Sequence, residues 1–146
     1  MIRLDFLNES GVKIPKSVFS SVFKNFMEIL RTRVKKLAGD KGIITIVLVD
    51  DKAIKKINAK WRKKNKPTDV ISFAYLEGKK MPMTNKIGDI FISIDTAKKQ
   101  AKEHLHSPNK ELQILFIHGL LHLFGFDHKN DSQEKEMERW AGKILD

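Results

Sequence analysis

Three of the five histidines of this chain crowd into eleven residues, His118-Gly119-Leu120-Leu121-His122-Leu123-Phe124-Gly125-Phe126-Asp127-His128, at the end of its longest nearly apolar stretch. The run from Leu112 to Phe126 predicts a buried core helix, and on a helix residues four apart share a face with Cβ atoms about 5–6 Å apart. The imidazoles of His118 and His122 can therefore converge on one ion. Gly125, three residues past the second histidine, accepts the left-handed conformation that ends a helix, and the turn that follows brings in His128 as a third donor.

The spacing H-x-x-x-H-x-x-G-x-x-H is that of the metzincin zinc site, yet Gly119 stands where such a site carries its general-base glutamate. Peptidase chemistry is thereby disfavoured. Three protein ligands with a vacant fourth position describe a catalytic zinc site, in which bound water falls to a pKa of about 7 and becomes a usable hydroxide. The chain has no cysteine, so any metal must be held by His, Asp or Glu. Zinc is the expected ion, although nickel or copper can compete at imidazole sites. Asp127 either orients His128 or the metal's water, or merely caps backbone amides of the turn; its position leaves both open. His104 and His106 fall on the polar side of a short helix and read as structural.

At 146 residues the chain has the length of one domain, 1–146, large enough to close a single core. Hydrophobic residues at 41% and charged residues at 32% are those of an ordinary globular protein. The apolar run is shorter than the ~20 residues that a membrane span needs. The absence of cysteine, and an N-terminus without a secretory pattern, make the cytoplasm the expected location. The excess of 28 Lys+Arg over 18 Asp+Glu gives a formal charge of +10, which suits a polyanionic partner or, equally, a plain solvated basic surface.

Periodicity along the rest of the chain predicts an α+β fold: a small mixed sheet of about four strands packed with about five helices. Strands are expected at Ile2–Leu7, Ile43–Val49, Val70–Tyr75 and Ile87–Ile94, with a polar loop over 78–85. One helix should run from Pro15 to Gly39, with Val18, Val22, Phe26, Ile29, Val34 and Leu37 inward and Lys24, Arg31, Arg33, Lys35 and Lys36 in water. Asp50 or Asp51 caps a second helix with an apolar stripe of Ile54, Ile57 and Trp61, leading into the basic turn from Lys60 to Pro67. Asp95 caps a short helix carrying Ala97 and Ala101. Ser107 and Pro108 open the apolar helix, and Asp131 with Glu134 forms a capping box for a last helix with Met137, Trp140, Ala141 and Ile144 inward.

The histidine window resembles the signature of the YbeY metalloproteins, endoribonucleases of bacterial ribosome maturation. Asn58-x-x-Trp61-Arg62, Pro67-Thr68-Asp69-Val70-Ile71-Ser72-Phe73 and Gly88-Asp89-Ile90 agree in order and spacing, so the likeness covers nearly the whole chain. It implies a zinc at the mouth of a groove, held by His118, His122 and His128. It also implies a functional Arg62, a role in processing the 3′ end of small-subunit ribosomal RNA, and a part in ribosome quality control. Trp61 stands where an aromatic is usual in that family, and the lysine-rich turn after Arg62 is richer than the family requires.

An arginine beside a metal can hold a phosphodiester bidentately and stabilise the charge of its transition state, although a basic loop could equally carry Arg62 as one more surface cation. Metal hydroxide could attack phosphorus or remove the 2′-OH proton, and the sequence does not choose. Asp69 and Asp89, near strand starts, read as turn carboxylates that satisfy backbone donors. The expected partners are single-stranded RNA and the ribosomal small subunit, with no membrane or DNA partner. Aromatic platforms for stacking are few, 2 Trp and 1 Tyr, so RNA affinity should depend strongly on salt. The rival readings are a ribosome assembly factor with a mainly structural metal and a small-molecule metallohydrolase.

Overall fold

The computed structural model describes residues 1–75 and 85–145. Four strands, β1 (Ile2–Asn8), β2 (Gly42–Val49), β3 (Val70–Ala74) and β4 (Lys86–Ser93), form one sheet in the order β1-β2-β4-β3. The β1/β2 and β2/β4 pairs are parallel and β3 runs antiparallel to β4 on the edge. The helices are α1 (Ser17–Ile29), α2 (Arg31–Ala38), α3 (Asp51–Arg62), α4 (Ile94–Glu103), α5 (Pro108–Leu123) and α6 (Asp131–Leu145). The polar loop expected over 78–85 lies, apart from Asn85, outside the described residues.

Strand alternation divides the sheet's two faces unequally. Ile44, Ile46 and Leu48 of β2 with Ile90 and Ile92 of β4 face the main core, shared with Phe19, Phe26, Phe116, Leu120 and Phe124 from the helices. Val47, Val49 and Ile71 face the other way, onto Ile54 of α3. Helix α5 lies across the first face as a buried rod, flanked by α1, α4 and α6.

Six helices replace the five expected because the first one breaks at Leu30, whose backbone leaves the helical region at φ −105°, ψ 24°. The break changes which residues turn inward. Leu30 and Val34 are buried, while Ile29 and Leu37, both expected in the core, are exposed. Arg33 stays exposed, as periodicity placed it, yet it is tied down: Arg33 Nε donates to the carbonyl of Phe124 at 2.9 Å, and its guanidinium lies 4.0 Å from the Phe126 ring centroid. A cation on the last carbonyls of α5 complements the helix dipole and ties α2 to the turn after α5.

The caps are mostly those the sequence suggests, shifted by a residue or two. Asp50 accepts from the Ala53 amide and Ser107 from that of Lys110, as expected. Ser93, not Asp95, caps α4; Asp95 instead accepts the Asp51 amide at 2.9 Å and joins α4 to α3. At α6 the cap is Asn130, which accepts from Gln133 N, while Gln133 Oε1 accepts from Lys129 N one residue before the cap, so Asn130 and Gln133 take the capping role expected of Asp131 and Glu134.

Gly119 is where α5 touches the sheet. A Cβ built there would stand 2.7 Å from Ile90 Cγ2 and 3.2 Å from Ser72 Oγ, which itself donates to the Gly119 carbonyl. The position that would carry a glutamate in a peptidase has no room for any side chain. Gly119→Ala is expected to lower stability by about 1–3 kcal/mol, the usual cost of overpacking a well-filled contact, despite alanine's better helix propensity. Denaturant unfolding checks this; an unchanged or raised midpoint would show that the contact yields freely.

Candidate metal centre

Helix α5 ends with its cap residue at Phe124, and Gly125 follows with φ +91°, the left-handed conformation anticipated for the turn. The chain reverses, and the rings of His122 and His128 come to 5.1 Å between centroids. His122, Asp127 and His128 each offer a ligand atom within 4.8 Å of the others. His118 stands outside that triple but lines the same cleft, one helical turn back.

The cleft has a volume of about 550 Å³ and opens between α5, the start of β3, the end of α3 and α6. His118, His122, Asp127 and His128 line one side, Thr68, Asp69, Val70 and Ser72 another, Arg62 the rim, and Glu134, Met137 and Glu138 the far wall. All four residues singled out from sequence thus share one space. Of the other lining residues, Met137 and Glu138 carried no signal beyond helix periodicity, Glu134 only that of a helix cap, and Ser72 only its place in the segment 67–73.

Burial pushes the His118 and His122 imidazoles below the usual histidine range; Asp69 opposes this at His118, while the neighbouring His128 reinforces it at His122. Neutral imidazoles are the form that binds a metal. Asp127 is held below the usual carboxylate range chiefly because its Oδ1 accepts the His128 amide at 2.8 Å, with Lys129 also nearby. It therefore caps the turn and stays anionic beside His122 and His128, so its two sequence readings are compatible. Asp69 similarly combines roles: Oδ1 accepts the Val70 amide at 2.7 Å and Oδ2 the Gln100 amide at 3.3 Å, while the carboxylate faces His118. Asp89 belongs elsewhere, accepting from Tyr75 Oη and Lys86 Nζ; burial and this carboxylate push Tyr75 up to about 12.

Arg62 is delivered by the end of α3, where Lys63 takes the left-handed conformation and the basic turn follows. Buried Asn58 holds that turn, its amide donating to the Lys66 carbonyl at 2.9 Å while its own carbonyl accepts from Lys64 N. Among the described residues no hydrogen bond or ion pair engages the Arg62 guanidinium, so it is available to a ligand. Trp61, expected in the apolar stripe, is instead 62% exposed and leans edge-on against Phe73 at 6.0 Å. Asn58→Ala should lower the melting temperature by several degrees, about 1–2 kcal/mol, by unpinning the turn; thermal melts check it, and an unaltered melt would mean the turn holds without it.

A second group of possible metal donors lies away from this cleft: His104, His106 and Glu111. The two histidines lie past the end of α4, not on its polar side, and they converge on the first turn of α5.

The family model described as Endoribonuclease YbeY matches residues 5–146. Among curated relatives, the Endoribonuclease YbeY of Bacillus cereus is 37% identical, with 99% of this chain and 95% of that protein covered. That of Nautilia profundicola is 49% identical over 67% of each. The solution structure of TM1509 from Thermotoga maritima superposes with a TM-score of 0.63 at 23% identity, covering 97% of this chain and 89% of that one, and thus shares the fold. With a whole-length family match and relatives well above 30% identity, the chain belongs to the Endoribonuclease YbeY family.

Proposed function

We propose that this chain is a zinc-dependent, single-strand-preferring endoribonuclease that acts in the cytoplasm on the 3′ end of small-subunit ribosomal RNA during ribosome maturation and quality control. The observation that supports it best is the meeting, in one cleft, of imidazoles from α5 and its turn with an arginine from α3 that no other described residue engages. His118, His122 and His128 would hold the ion. The donors fit: burial lowers two of the imidazoles toward the neutral form that a metal takes, and His118 and His122, four apart on α5, share one face of the helix. A bound zinc supplies Lewis acidity toward water and phosphoryl oxygen.

The protein's own groups do the rest. Arg62, on the rim, is placed to grip a phosphodiester by two N–H groups and to neutralise charge that grows at phosphorus. The Asp127 carboxylate, fixed by the His128 amide, can accept a hydrogen bond from a water or from the 2′-OH and so orient it. Met137 and Val70 give the cleft an apolar lining on two sides that limits bulk water. The exposed lysines at 63, 64 and 66, in the turn directly after Arg62, add positive charge that suits the backbone of a single strand.

The test is cleavage of an end-labelled single-stranded RNA by zinc-loaded protein against a DNA strand and an RNA duplex of the same sequence. Metal-dependent cutting of the single-stranded RNA alone is the expected result. Absence of any metal-dependent cutting, with RNA still bound, would favour an assembly factor with a structural metal. Binding should weaken roughly 300-fold between 50 and 200 mM salt if about six phosphates of a single strand are engaged, and filter binding across that range measures it. A flat salt profile would remove these lysines from the reading.

A further inference from the structure

His104, His106 and Glu111 form a cluster that the ribonuclease reading does not use. Glu111 sits in the first turn of α5 with its side chain only 3% exposed. His104 Nδ1 lies 3.1 Å and His106 Nε2 2.5 Å from the same oxygen, Glu111 Oε1. Among the described residues its ion pairs run only to these imidazoles, and no lysine or arginine reaches it. A carboxylate taken out of water without a matching cation is costly.

The backbone is bent to build this arrangement. Leu105, between the two histidines, has φ +57° and is 92% exposed, so nothing it packs against explains a left-handed leucine. The turn is a Schellman closure of α4, with Leu105 N bonded to Lys102 O and His106 N to Ala101 O, at a position usually given to glycine. Its effect is to swing His104 and His106 to the same side, rings 5.6 Å apart, over one buried carboxylate.

We propose that His104, His106 and Glu111 are a second metal site, selective for a borderline divalent ion such as Zn²⁺. Two imidazoles and one carboxylate are a common zinc donor set, and ligand atoms around a four-coordinate ion stand about 3.3 Å apart, which small side-chain rotations reach from the distances above. Each imidazole need only carry its proton on its other nitrogen. The ion supplies the positive charge that the buried carboxylate lacks, and half-exposed His104 leaves an entry path and a fourth position for water. Glu111, His118 and His122 lie seven and four residues apart along one face of α5, so this ion would staple the α4–α5 turn to the helix about 10 Å from the cleft.

Calorimetric titration of Zn²⁺ into the chelator-stripped full-length chain tests this. Wild type is expected to take up two ions, His104→Ala one, and His122→Ala still one at the α4–α5 turn, bound at least ~10-fold more weakly once His104→Ala is added. His104 is exposed enough for its alanine variant to fold, which circular dichroism of the same sample checks. Equal stoichiometry and affinity in wild type and His104→Ala would overturn the site and leave a hydrogen-bonded cluster only. Uptake of a single ion that His122→Ala abolishes would overturn it equally, while leaving the cleft reading intact.

Discussion

Removal of the cleft metal with a chelator, or His122→Ala, is expected to slow cleavage of single-stranded RNA by about 10³-fold or more. A Lewis acid at a phosphoryl group contributes several kcal/mol of transition-state stabilisation, and each 1.36 kcal/mol is a factor of ten. Restoring Zn²⁺ should return the stripped wild type to full rate and leave His122→Ala slow, because the variant has lost a donor from the middle of the set. The comparison is made by single-turnover cleavage, with metal content measured on the same samples. Undiminished cutting by the stripped protein would sink the metal mechanism. The stripped protein should also melt at a lower temperature, since an ion that binds only the folded chain stabilises it by mass action.

The histidine half of the candidate site was legible because it is local. Two histidines at helical spacing and a glycine turn need nothing from the rest of the chain to be recognised, and the structure adds mainly that the glycine does adopt a left-handed φ. Gly119 was legible only as a missing base; the close approach of α5 to Ile90, which makes that absence obligatory, depends on packing between distant segments. The same limit hid Arg33. Its helix has an uninterrupted apolar period, so nothing local announces the break at Leu30 that sends the guanidinium to Phe124 and Phe126. It hid the His104–His106–Glu111 cluster too, since that depends on a leucine in a conformation leucine rarely adopts. Arg62 lay between these cases. Its segment carried a family resemblance, but only the turn held by Asn58 shows how it reaches the rim of the histidine cleft.

Arg62→Ala should slow cleavage by about 10²–10³-fold while leaving both metal content and melting temperature unchanged. The magnitude is that of removing one preorganised donor from a charge-stabilising site. The lack of a stability effect follows from an exposed side chain that no described residue engages. The loss should fall mainly on kcat, with a smaller rise in KM, because a guanidinium that tightens on the transition state affects the step more than the binding. Arg62→Lys separates charge from shape: lysine keeps the cation but has no planar fork, so only part of the rate should return. Equal rates for arginine and lysine would reduce Arg62 to one more charge in the basic turn. Full activity in Arg62→Ala would detach the turn from the chemistry altogether and leave the histidine cleft to act without a phosphate clamp.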